Sequence, residues 1–258
     1  MTTIISPEVA AYLESEAARV HVPDFVLADP VQFPRRFSGL RDIEVTAILA
    51  SHLAWGNRKM ICRDIERLLS FTDNQPAAWI AEGAYEEIPD DQNIHRTFFG
   101  RNLKHFCRGL RRIISRHGSL DAFCAASGAP DSEFPAWTLA EAINAELAAA
   151  NDGRTDSRCL PLSLESTALK RLNMALRWLV RRDEGVVDLG VWNSLSPSRL
   201  FIPLDVHVGN TSRALGLLTR KANDRLAATI LTDALRTLRP DDPTYFDFAL
   251  FGSPVTPQ

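Results

Sequence analysis

Two short segments hold residues whose types and spacing could do covalent chemistry on a sugar. Lys170-Arg-Leu-Asn-Met174 opens a run in which Leu169, Leu172, Leu176 and Leu179 recur at helical spacing, so the lysine falls in the first turn of an amphipathic helix. Lys170, Asn173, Arg177 and Arg181 form a polar stripe on another face of that helix. The partial positive charge of a helix N-terminus and the neighbouring Arg171 both disfavour a charged amine, and burial would disfavour it further. This is how a protein obtains a neutral, nucleophilic lysine near pH 7. The second segment, Ile202-Pro-Leu-Asp-Val-His-Val208, carries Asp205 and His207 on a loop whose extended approach is fixed by Pro203. A carboxylate there could stabilise positive charge on a sugar carbon. The plainer readings are a surface lysine at a helix start and an aspartate that only caps the next helix.

The elements that must position these groups read as helical nearly throughout. Val45, Ile48, Leu49 and Leu53 share one helical face, and Ile61, Ile65, Leu68 and Leu69 another, with a break at Trp55-Gly56-Asn57. Leu103, Phe106, Cys107, Leu110, Ile113 and Ile114 form an apolar stripe, and Lys104, Arg108, Arg111 and Arg112 lie largely away from it. That helix is expected to end at His117-Gly118, with Ser119 capping a following helix over 120–126. Segments 126–135 and 151–161 read as loops flanking an Ala/Leu/Glu helix over 138–149. No sustained period-two alternation predicts a substantial sheet, although 186–192 could be extended. The fold class expected is all-α.

The composition is that of an ordinary globular chain of 258 residues, 45% hydrophobic and 24% charged, which suffices for one two-lobed domain or two small ones. No apolar run is long enough to span a bilayer, and the first residues lack the basic and apolar parts of a signal peptide, so a cytoplasmic protein without membrane contact is expected. Cys62, Cys107, Cys124 and Cys159 are scattered with no C-x-x-C pair, so they predict buried thiols and no metal site or cluster. The net charge is −3, yet the segment from Arg96 to His117 holds seven Lys/Arg and no acid. Segregation of this kind can produce a local positive field despite the negative total, while a merely solvated helix face is the alternative.

At Pro203, Asp205, His207, Val208, Arg213 and Leu215-Gly216-Leu217 the chain resembles the helix-hairpin-helix DNA glycosylases, in which a Pro-x-Asp-x-His-Val segment is followed by an arginine and a Leu-Gly-Leu turn. Lys170 is similar to the lysine of the bifunctional members. Asp42 through Leu68 looks like the superfamily's early helix pair, with Trp55-Gly56-Asn57 at the strand-separating loop, and 101–120 looks like the helix before the hairpin. Tyr245-Phe-Asp-Phe-Ala-Leu-Phe251 resembles the C-terminal helix of the 8-oxoguanine glycosylases, in which a phenylalanine stacks on the extruded base and a polar residue one turn earlier reads its edge. The resemblance spans roughly residues 40–252 and departs from the family in three places. Leu160-Pro-Leu-Ser-Leu-Glu-Ser166 stands where the hairpin normally has glycines. An apparent insertion, 183–200, lengthens the Lys170-to-Asp205 interval. Residues 1–40 do not resemble the N-terminal β domain of the eukaryotic enzymes. An archaeal branch shares the last two departures.

The resemblance implies two helical lobes with an interlobe cleft, built as an N-terminal helical extension over 1–40 and a glycosylase-like core over 41–258, with Lys170 and Asp205 facing each other across the cleft. It implies excision of an oxidised, 8-oxoguanine-like purine from damaged duplex DNA, with AP lyase activity through a lysine Schiff base and with no cofactor, metal or obligate protein partner. Lys170 and Asp205 are then catalytic, Phe251, Asp247 and Met174 form the base pocket, and His207, Asn57, Trp55, Lys104, Arg108, Arg111, Arg112 and Arg213 bind nucleic acid. Two other classes stay open: a catalytically silent nucleic-acid-binding protein of the same fold, and an N-glycosidase acting on RNA or free nucleosides. Phe246, Phe248 and Phe251 could equally be core.

Overall fold

A computed structural model describes residues 5–252. It is mostly helical, with α1 (Pro7–Val20), α2 (Asp24–Ala28), α3 (Leu40–Leu53), α4 (Arg58–Ser70), α5 (Pro76–Glu82) and α6 (Gly100–His117) in the first half. There follow α7 (Leu120–Ala126), α8 (Pro135–Ala149), α9 (Lys170–Val180), α10 (Val206–Ala214), α11 (Arg225–Arg236) and α12 (Asp247–Gly252). The β-structure among the described residues is one antiparallel hairpin, β1 (Asn93–His95) with β2 (Phe98–Phe99). Segment 186–192 forms no strand. No helix of the described residues is long and apolar enough to cross a membrane.

The chain divides into two compact units. A central unit comprises Val26–Leu162 with Val191–Ser194, and a terminal unit comprises the described residues up to Phe25, Ser163–Gly190 and those from Leu195 onward. The division does not fall at residue 40. The first forty residues are shared out instead, with α1 packing along α12 and the 3₁₀ turns Pro30–Gln32 and Pro34–Arg36 packing on α3.

In the central unit α6 is the axis on which α5, α7 and α8 pack, and α3 packs on α4 and α5. The stripe predicted for α6 is its buried face, with Leu103, Phe106, Cys107, Leu110, Ile113 and Ile114 in the core. Asn102 accepts the Phe99 N–H at the start of α6 (2.9 Å), and Gly118, at φ 84°, terminates it. Ser119 caps α7 through the Ala122 N–H.

A second cap of α7 comes from far away in sequence. The fully buried Glu44 of α3 accepts the N–H groups of Leu120 (3.0 Å) and Asp121 (2.8 Å). Burial raises its carboxyl above the ordinary range, against the lowering influence of those two N–H donors and of the Trp192 indole. Replacing Glu44 by Ala leaves helix-end donors without an acceptor. We expect a loss of about 2–4 kcal/mol in urea unfolding, with Glu44→Gln, which keeps one acceptor oxygen, losing less.

Candidate functional site in the terminal unit

Lys170 is the first residue of α9, as its spacing predicts. The residue before it, Leu169, is buried and holds φ 47°, ψ 41°, a left-handed conformation that a branched aliphatic residue adopts only when its surroundings impose it. Thr167 Oγ1 accepts the Leu169 N–H (3.1 Å), Asn173 Nδ2 donates to the Ala168 carbonyl (2.9 Å), and the Asn173 N–H donates to the Leu169 carbonyl (2.9 Å). Asn173, which the sequence places on the polar stripe, is therefore a buried clamp on the start of α9.

From Leu172 to Val180 every residue of α9 is buried, Met174 and Arg177 included. A charged residue in so apolar a helix must meet its counter-charges inside the protein. Arg177 Nη1 donates to Asp247 Oδ2 at the start of α12, and its Nε lies 3.3 Å from Asp188 Oδ1. Arg181, which ends α9, reaches Asp188 (3.0 Å), Asp183 (3.2 Å) and Asp242 (2.9 Å). His21, just past α1, closes the far end of the network at 2.7 Å from Asp183. The Phe248 ring lies beneath both guanidinium groups, 4.5 Å from Arg177 Cζ and 5.5 Å from Arg181 Cζ. Burial alone would raise the Asp183 carboxyl. The His21 contact, the N–H groups of Asp188 and Val187 and the Arg181 charge outweigh it and hold the group well below the usual range.

Asp205 caps α10, accepting the Val208 N–H at 3.0 Å. The Leu215-Gly216-Leu217 turn, with Gly216 at φ 72°, leads into a loop that is tied back to it. Asn223 Nδ2 donates to the Asp205 carbonyl (3.1 Å). Arg213 binds the carbonyls of Arg220 (2.8 Å) and Lys221 (2.9 Å) and Asn223 Oδ1 (2.6 Å). The guanidinium assigned to nucleic acid in the sequence thus braces the Asp205 loop. His207 stands exposed on the first turn of α10.

Lys170 and Asp205 both belong to the terminal unit, so they are not divided between the two units. Both act on the buried carboxyl of Asp247. Burial is the largest influence and pushes that group up to about 6. Arg177 pulls it down, Asp205 pushes it up, Lys170 pulls it down and Asp188 pushes it up. Lys170, Met174 and Arg177 recur at intervals of four and three along one face of α9, the face that holds Asp247. Phe246 and Phe248 are core, whereas Phe251 is half-buried on the last turn of α12.

The residues expected to touch nucleic acid from the central unit have partners within the protein. Lys104 is paired with Asp90 (2.8 Å), Arg108 with both oxygens of Glu86 (2.6 and 2.7 Å), and Arg112 with Glu146 (2.7 Å). Arg111 lies against the Tyr85 hydroxyl. Charge that is segregated along the sequence is thus partly compensated in space by Asp90, Glu86 and Glu146. Trp55 is half-buried beneath the Arg96 guanidinium (4.6 Å), and its carbonyl lies 2.8 Å from His95 Nε2. Asn57 caps α4 through the Lys59 and Met60 N–H groups. Segment 160–166 holds a single 3₁₀ turn, Leu164–Ser166. Three of the four cysteines are buried thiols and Cys62 is half-buried.

Sequence reasoning missed Asp183, Asp188, Asp242 and His21, and it gave Arg177 and Arg181 no partners. The signal available was an arginine pair at i, i+4 within an otherwise apolar helix, followed at once by acids in the apparent insertion.

The architecture and this site define a mostly helical protein whose terminal unit is built around a buried arginine–carboxylate network on the helix that Lys170 opens. The chain belongs to the family described as a protein of unknown function (DUF2400), whose model matches residues 29–256. No curated protein and no solved structure matches the chain.

Proposed function

We propose that the protein is a DNA base-excision glycosylase of the helix-hairpin-helix type with lyase chemistry, acting on an oxidised, 8-oxoguanine-like purine. The observation that carries this reading is that Lys170, at the start of α9, and Asp205, at the start of α10, both act on the one buried carboxyl of Asp247. In this reading the amine and the carboxylate address a single sugar. As the glycosidic bond breaks, its electron pair leaves with the base and positive charge grows on the sugar, where Asp205 stabilises it. The Lys170 amine takes C1′ as a covalent Schiff base. A base must leave the stack to be reached, and the half-exposed ring of Phe251 is the stacking platform, with Met174 on the pocket wall.

A second reading is an N-glycosidase acting on RNA or free nucleosides, and the internal pairing of Lys104, Arg108 and Arg112 favours the free nucleoside, because it reduces the attraction for the phosphates of DNA and RNA alike. One experiment separates the two. The protein is incubated with duplex DNA carrying an oxidised purine, with the same lesion in RNA, and with the free nucleoside, and borohydride is added. The proposal expects a covalent adduct on the duplex that Lys170→Gln abolishes. Base release from RNA or nucleosides alone would support the second reading. Binding to the duplex with neither adduct nor base release would leave a catalytically silent nucleic-acid-binding protein.

A further inference from the structure

We infer that Asn173 is the positioning residue for Lys170: it holds Leu169 in a left-handed turn and so fixes where α9, and the amine on its first residue, begins. This rests on the proposed lysine chemistry and adds to it a residue that acts through the backbone.

Asn173 is buried, three positions after Lys170 on α9. Two of its hydrogen bonds run back past the lysine. Its backbone N–H donates to the Leu169 carbonyl (2.9 Å), which closes the turn that contains Lys170, and Nδ2 donates to the Ala168 carbonyl (2.9 Å), one residue earlier. From the other side Thr167 Oγ1 accepts the Leu169 N–H (3.1 Å). Asn173 Oδ1 is buried and takes no hydrogen bond among the described residues, so the bond to Ala168 is the one its amide group makes. Leucine has nearly the same shape and would leave no buried acceptor empty. Packing alone therefore does not account for an amide in a helix as apolar as α9, whereas the clamp on Ala168 does.

The clamp is needed because of what it holds. Leu169 sits at φ 47°, ψ 41°, where its Cβ crowds the backbone, so without restraint it relaxes to negative φ. Burial of its side chain and the three hydrogen bonds keep it where it is. Relaxation would open the bond from the Asn173 N–H and fray the turn that carries Lys170. A nucleophile depends on its starting geometry, and a displacement of about one ångström costs on the order of 100-fold in rate. A strained residue immediately before the proposed nucleophile, pinned by a buried amide in the following turn, is a device for setting that geometry.

The test uses the full chain and duplex DNA with a preformed abasic site, so that base recognition plays no part. Borohydride trapping rates are measured against DNA concentration, with thermal unfolding as a check that each variant is folded. Asn173→Leu should lower the rate at saturating DNA by about 10- to 100-fold and leave the half-saturating concentration within about twofold, because the amine is misplaced while binding is untouched. Adding Leu169→Gly should recover most of that loss, since glycine adopts the left-handed turn without being held. Leu169→Gly and Leu169→Ala both empty the leucine's buried place, and of the two the glycine variant should be the more stable and the faster. If Asn173→Leu traps at the unaltered rate while Lys170→Gln abolishes trapping, the inference is overturned and the lysine mechanism stands. A loss that Leu169→Gly does not recover also overturns it, because the turn is then not the cause. If Lys170→Gln traps as well as the unaltered protein, the lysine mechanism is lost and the inference with it. Should Asn173→Leu fail to fold, the pair at 169 decides, and an alanine variant as stable and as fast as the glycine variant overturns the inference.

Discussion

Asp205→Asn should retain the fold and DNA binding yet lose base excision by roughly 100- to 1,000-fold, as measured by single-turnover release of an oxidised purine from duplex DNA. The substitution is informative because Asp205 does two things in the structure. Its side chain caps α10 through the Val208 N–H, and its charge acts on the region shared with Asp247 and Lys170. Asparagine caps a helix about as well as aspartate does, so the melting temperature should hardly move. What disappears is the negative charge, and it is needed only when the sugar becomes cationic. Excision within threefold of the unaltered protein would reduce Asp205 to its capping role and remove the carboxylate from the mechanism. A large drop in stability together with activity would show that the loop braced by Arg213 and Asn223 depends on the charge itself.

The second large effect concerns stability. Arg177→Ala should destabilise the protein by about 3–5 kcal/mol in urea unfolding, because it leaves Asp247 buried without its paired cation and Asp188 with Arg181 alone. By contrast, Arg225→Ala, which removes the partner of the exposed Glu165, should change stability by less than about 1 kcal/mol. Loss of Arg177 also removes the strongest influence pulling the Asp247 carboxyl down, so that group should stay protonated to higher pH. Asp183 works in the opposite sense. Its folded value is depressed, so the stability it contributes is present above the ordinary carboxylate value and is lost as pH falls toward the folded one. An Arg177→Ala protein as stable as the unaltered one would mean that water reaches both carboxylates and that the network is not the sealed cluster described.

The helices were legible because their signals are local. The apolar stripe of α6, the serine cap of α7 and the start of α9 at Lys170 each depend on residues a few positions apart, and each stands where periodicity and capping place it. The pairing of charges was not legible, because it depends on distant partners. His21 meets Asp183 across 162 positions, and Arg177 meets Asp247 across 70. The acids that pair with Lys104, Arg108 and Arg112 of α6 likewise come from outside that helix, at Asp90, Glu86 and Glu146. The β1–β2 hairpin escaped notice because two strands of three and two residues cannot display alternation, and its turn depends on Arg96 holding a positive φ of 50°.

The packing of α1 along α12 has a consequence for how the chain reaches its folded state. The central unit is nearly continuous in sequence, so most of it can assemble as soon as its residues have left the ribosome. The terminal unit cannot do so. Its helix α1 precedes the central unit in the chain, and α12, which packs along α1, follows that unit. Through that interval α1 must either wait with its apolar face uncovered or be sheltered by another molecule. Closing a loop of that length is slow compared with the local helix pairings of the central unit. Assembly of the lysine–carboxylate site should therefore be the last folding event, and the one most exposed to aggregation when synthesis stalls.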